Sequence, residues 1–313
     1  MDTKRPFRFG GGVVNVHSRA AWVHQARKAE AQGFSTFGLA DHVEAAWLPP
    51  LSALMAAADA TTTLRVCTYV LNNDLRNPAV LAREVATLDL LSEGRFELGI
   101  GAGDAPADYA QTGIALDRPG VRVRRLQEAL HIVKRFFEED AVTFHGRHYQ
   151  ISNLVGMPKP VQRPHPPILV GGGGQRILEL AAREADIVGL LFKTTGPRLQ
   201  LAVETGSAAA TAQKIEWIKA AAGPRFADLE LNTFVFNITI TDKRRKVAEE
   251  LAAGWGCTAE QLLDTIHFLV GSVEHITEQL QMWRERFGIS YIVVAGEEQM
   301  DALAPVISRL AGT

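Results

Sequence analysis

The chain reads as an eight-stranded α/β barrel of the (β/α)8 TIM type with insertions. Three observations point there. Eight short β-rich runs alternate with amphipathic stretches. Polar and small residues gather just after several of those runs, where parallel barrels carry their ligands. At 313 residues the length suits one barrel domain spanning 1–313. An open doubly wound sheet is the alternative reading.

The first strand is expected over residues 7–14. Ser18 is positioned to cap a helix from 19 to about 32, which Gly33 would stop. Strand two covers 34–40 and ends in Asp41-His42. A helix over about 51–60 leads to strand three at 64–71, then to Asn72, Asn73 and Asp74. Asn77-Pro78 marks a helix start, a capping residue before proline at the first helical position. That helix runs to about 91. Strand four, 96–100, ends in Gly101, Gly103 and Asp104. A long helix follows over 121–138.

Alternation then pauses. Residues 142–151 suggest a hairpin, and the prolines of 157–167 argue against buried regular structure. Strand five covers 168–170, with Gly171 to Gly174 behind it and a helix over 175–184. Strand six is 187–192, followed by a helical region over 199–222. Strand seven is 229–240. Helices are expected at 243–253 and 259–268, the second opened by Thr258 and Gln261 at capping-box spacing. A helix at 273–287, strand eight at 291–294 and a helix at 297–310 complete the series.

Bulk composition excludes several classes. With 33 basic and 35 acidic residues, a net charge of -2 offers no broad attraction to nucleic acid or to an acidic membrane. The two cysteines, Cys67 and Cys257, form neither a metal-type pair nor a disulfide framework. No apolar run is long enough for a membrane span, and the first residues do not read as a signal peptide. A reducing cytoplasm is the expected setting.

The chemistry-bearing residues sit at the strand ends. His42 can shuttle a proton near neutral pH. Asp104 is a candidate acid, base or hydrogen-bond acceptor, or a turn residue. Gly171 to Gly174 with Gln175 and Arg176 lie between a strand and a helix, where unpaired backbone N–H groups can meet a phosphate. The segment is neither a Walker A loop nor a dinucleotide fingerprint. Lys193 and Arg198 are further candidate phosphate contacts. His145 and His148 straddle a glycine without an accompanying acidic or cysteine cluster, and no metal is expected there.

Taken together, GFSTFGLADH at 33–42, CTYVLNNDLRNPAVLAREVATLDLLSEGRFELGIGAGD at 67–104, ILVGGGGQRILELAAREADIVGL at 168–190 and GISYIVV at 288–294 resemble the bacterial luciferase-like monooxygenase superfamily, nearest its deazaflavin-dependent oxidoreductases. The resemblance implies a homodimeric barrel binding coenzyme F420 or FMN at the strand ends, with a small-molecule substrate. It implies His42 and Asp104 as proton-transfer groups. It implies a cofactor site at Asp41, Tyr69, Val70, Asn72, Gly101, Gly173, Gly174, Gln175 and Arg176. A non-prolyl cis peptide is implied at Tyr69-Val70. The implied reaction is hydride transfer between F420 and a small organic molecule. An FMN-dependent monooxygenase and a non-catalytic flavin-binding protein are the alternatives.

Four positions depart from the sugar-phosphate dehydrogenases of that group. Asp104 replaces a glutamate, Ala107 an asparagine, Thr194 a lysine and Ala46 a tryptophan, with Trp47 adjacent. A sugar phosphate is therefore not the expected substrate.

Overall fold

A computed structural model describes residues 5–43, 45, 47–195 and 200–313. Ala46, Arg198 and Leu199, the first residue of a predicted helix, lie outside the described residues.

Eight parallel strands close into a barrel: β1 Arg8–Gly11, β2 Thr36–Leu39, β3 Arg65–Thr68, β4 Phe96–Gly101, β5 Ile168–Gly172, β6 Ile187–Leu190, β7 Glu230–Val235 and β8 Ile289–Val294. Each pairs with its sequence neighbour, and β8 returns to β1. β4 and β8 are buried along their whole length. Such strands are covered on both faces, so their sequences run apolar instead of alternating.

Helix starts follow local chemistry. Ser18 accepts from the Ala21 N–H, and Asn77 accepts from the Ala79 N–H ahead of Pro78. Thr258 and Gln261 complete a reciprocal capping box. The helices Gln175–Glu184, Val273–Phe287 and Glu297–Leu310 fall where the sequence places them.

Three expectations are corrected. The helix assigned from residue 199 begins at Ala208, capped by Ser207, because Gln200–Ala202 pairs antiparallel with Lys193–Thr195 instead. The helix assigned to 259–268 stops at Leu263, and Phe268–Gly271 is a strand. That strand pairs in parallel with Asn237–Ile240, so the predicted seventh strand is two strands hinged at Phe236. The hairpin is as expected, Ala141–His145 against Gln150–Val155, and within it His145 bonds Gln150.

The end of the barrel where its strands begin is held by charge. Glu97, with its side chain 3% exposed, meets Arg8 at 2.7 Å and Arg65 at 2.6 Å, and Arg8 also meets Glu230 at 2.8 Å. The strands' opposite ends form the mouth, where the candidate residues gather.

Candidate active site

The third strand is interrupted where the sequence changes from CT to YV. After Thr68 the Tyr69–Val70 peptide is cis, and Leu71–Asn72 then resumes pairing with β4, Asn72 opposite Gly101. Thr68 spans the interruption, its hydroxyl donating to the Gly99 carbonyl at 2.7 Å and accepting from the Gly99 N–H at 2.9 Å. The Tyr69 phenol crosses the barrel and donates to Asn232 on β7 at 2.6 Å. Burial pushes its pKa upward, so it stays neutral. A cavity of about 40 Å³ lies at the mouth, walled by Gly12, Leu39, Tyr69, Phe234 and Val293 among others. A larger depression of about 420 Å³ follows the loop after β1, Val13 to Ser18, and contains none of the candidate catalytic or cofactor residues.

At the end of β2, His42 and Asp41 take different parts. Asp41 is buried and accepts from the Asn72 N–H at 3.1 Å. Both of its oxygens are also engaged by Arg76. It brackets β2 to the chain beyond β3. His42 is a third exposed and contacts, through Nδ1, the Oδ2 of Asp108 at 2.9 Å. The other oxygen of Asp108 accepts from the Val43 N–H at 2.7 Å. Asp108 is only 1% exposed.

A carboxylate oxygen accepts, so Nδ1 donates and Nε2 is the ring nitrogen left to exchange a proton. Nε2 has no hydrogen bond to the described residues. The Trp47 ring lies edge-on to His42 at 5.4 Å between centroids.

The carboxylate on His42 is thus not Asp104, which is exposed and bonds to none of the described residues. Asp108 was missed in the sequence. A signal was present: Pro106 opens a seven-residue helix, Pro106–Thr112, with Asp108 in its first turn. Proline and an acidic residue both favour that position.

Asn72 anchors a second network. Its Oδ1 accepts from the Asp74 N–H at 3.0 Å and the Tyr109 hydroxyl at 3.4 Å. Asp74 in turn holds Arg125 at 2.7 Å and Tyr109 at 3.0 Å. Burial, then the Asp74 charge, pushes the Tyr109 pKa up to about 12. The Asn72 Nδ2 is buried without a hydrogen-bond partner among the described residues. Such a donor is costly unless something meets it. Gly103 passes close to this network at φ +75°, where an added Cβ would lie 2.0 Å from the Tyr109 oxygen. Only glycine fits there.

The glycine segment lies at the end of β5. Gly174 precedes the Gln175–Glu184 helix and supplies no side-chain cap. Around Gly174 there is open space, whereas a Cβ on Gly173 would meet the Phe192 carbonyl at 2.2 Å. The backbone is pressed on the chain just beyond β6, while the first helical N–H groups stay open to an anion. Arg176 is exposed beside them. The Gln175 amide turns to Glu179 on its own helix, at 2.7 Å. Lys193 is exposed.

These features fit a flavin-type group: an unpaired amide donor for a ring edge, small residues along the mouth and an open helix start for a phosphate. The model of the luciferase-like monooxygenase family matches residues 5–264. The chain belongs to that family. This luciferase-like chain is 33% identical over 174 residues to an F420-dependent glucose-6-phosphate dehydrogenase of Kineococcus radiotolerans, covering 51% of the chain and 49% of that relative. It is 28% identical over 201 residues to an FMNH2-dependent dimethylsulfone monooxygenase of Pseudomonas putida, covering 64% and 51%. The matches span about half the length of these curated relatives. The solved structure of an F420-dependent secondary alcohol dehydrogenase in complex with an F420-acetone adduct superposes with a TM-score of 0.77 over 97% of the chain and 99% of that structure, at 20% identity. That likeness concerns the fold alone.

Proposed function

We propose that this luciferase-like protein is an oxidoreductase transferring a hydride between coenzyme F420 and a small organic substrate. The observation that carries the reading is the His42–Asp108 contact at the barrel mouth. Hydride transfer to or from a carbon bearing oxygen needs a proton moved at that oxygen. A histidine held in one tautomer by a buried carboxylate is suited to move it through Nε2. When bound, the deazaflavin supplies the hydride chemistry.

The chain's own residues do the rest. The Tyr69–Val70 segment and the Asn72 amide meet the ring. Gly173, Gly174 and Arg176 hold the phosphate at the helix start. Asp41 fixes β2 against Asn72 so that His42 keeps its place. Asp104, exposed at the rim, is retained as a substrate-side polar group. A homodimer in the cytoplasm belongs to the same proposal.

An FMN-dependent monooxygenase is the second reading, favoured by the Pseudomonas putida relative. Parallel titrations of the purified protein with F420 and FMN, followed by absorbance and calorimetry, separate the two. Binding of F420 at least tenfold tighter than FMN supports the proposal. The reverse order replaces it with the second reading.

A further inference from the structure

Strands β2, β3 and β4 carry His42, the Tyr69–Val70 segment and the Asn72 network, and β5 carries the glycine turn. In the proposed reading these hold the cofactor. The arc of the mouth left free is then β6, β7, β8 and β1, and on β6, β7 and the chain just beyond them its side chains are aromatic.

Asn232, Phe234 and Phe236 alternate along β7 and just beyond it. Asn232 bonds Tyr69 across the barrel, so this is the side that faces inward. Phe234 stacks on Tyr69 at 6.0 Å and meets Phe236 edge-on at 4.8 Å. Phe236 meets Trp255 edge-on at 5.3 Å and stacks on Phe192, two residues beyond β6, at 5.4 Å. Phe192 is buried, while Phe234, Phe236 and Trp255 each keep exposed area. A continuous ring surface thus runs outward from the cavity beside Tyr69.

The rings themselves are uncharged, and the exposed Lys193 follows Phe192 at their edge. His267 lies against Phe192 at 4.1 Å, fully buried, and donates from Nδ1 to the Phe234 carbonyl at 2.8 Å. Burial lowers its pKa to about 3, so it is neutral. None of the cation–ring contacts involves these rings. The nearby ammonium of Lys214 is buried on the Leu191 carbonyl.

We infer that the substrate is a small uncharged molecule with an aromatic or bulky aliphatic substituent, seated against Phe234, Phe236 and Trp255. Ring contacts reward such a substituent beyond its buried area. A phosphate seated against the rings would lose its hydration to apolar surface, with the exposed Lys193 only at the edge beyond Phe192. The inference deepens the proposed function, because it rests on that reading for which arc holds the cofactor.

Calorimetry on the full chain tests it, with acetophenone, cyclohexanone, glucose 6-phosphate and inorganic phosphate as probes, in the presence and absence of whichever cofactor binds. Acetophenone and cyclohexanone should bind at least tenfold tighter than either phosphate. Phe236→Leu and Trp255→Leu should each weaken acetophenone at least fivefold and leave cofactor affinity within twofold. Unchanged melting temperatures establish that both variants are folded. Preferential binding of glucose 6-phosphate, or acetophenone binding indifferent to both variants, overturns the inference and leaves the cofactor assignment standing. Failure of both cofactors to bind, with acetophenone still lost in the variants, overturns the cofactor assignment and leaves the aromatic wall supported.

Discussion

Asp108 holds His42 from a helix that the sequence barely announces: Oδ2 reaches Nδ1 at 2.9 Å while Oδ1 takes the Val43 N–H. One buried carboxylate thus fixes both the ring's tautomer and the backbone next to it. Asp108→Asn preserves shape but no longer demands a proton on Nδ1. In the proposed reaction it should lower kcat about 100-fold, with cofactor affinity within threefold. Asp104→Asn should lower kcat far less than Asp108→Asn.

Gly103 is a second sensitive position, through space and not chemistry. Gly103→Ala forces a side chain at positive φ into the Tyr109 oxygen and the Asn72 Oδ1. It should destabilise the protein by about 1–3 kcal/mol and weaken cofactor binding, because Asn72 must shift. Thermal melting and the cofactor titration together check this. An unchanged melting temperature would show that the loop yields freely.

The barrel was legible because buried parallel strands leave apolar runs with polar ends, and because Asn77-Pro78 and Thr258 to Gln261 mark helix starts locally. What escaped depended on distant partners. Phe268–Gly271 is a strand only because Asn237–Ile240 lies beside it. Residues 200–202 leave the helix reading for a pairing with 193–195. At the site, His42 and Asn72 were visible from strand-end position alone. Asp108 was not, since contact with His42 requires the short Pro106–Thr112 helix to fold back across the mouth. Asp104 drew attention by sitting in the glycine run, yet it faces solvent.

Glu30 predicts an acid-sensitive turn. Burial raises its pKa, but the N–H groups of Thr63, Leu64 and Thr62 on its carboxylate outweigh that and bring it from 4.5 to about 2. A depressed carboxyl pKa gives stability that is fully present above about 4.5 and is lost as pH falls toward 2. Discounted for partial exposure, the effect is about 1–2 kcal/mol. Glu30→Gln should lower the melting temperature at pH 7 and make little difference at pH 2.

Lys214 predicts a slope of the same sign, in the alkaline range. Burial lowers its pKa from 10.5 to about 8, and its side chain has the Leu191 carbonyl as its hydrogen-bond partner. The unfolded chain keeps this proton to higher pH, so its contribution to stability rises between about 8 and 10.5. Lys214→Met should stabilise the fold at pH 7 by about 1–3 kcal/mol, and the gain should shrink by pH 10. Paired melting curves at the two pH values decide it.

Anaerobic mixing tests hydride transfer with F420 most directly. The protein is combined with oxidised F420 and an aromatic secondary alcohol such as 1-phenylethanol, and the deazaflavin absorbance is followed without oxygen. Bleaching that requires the protein and falls about 100-fold in His42→Ala is the predicted result. No bleaching, together with oxygen uptake by the same protein supplied with reduced FMN, would contradict it.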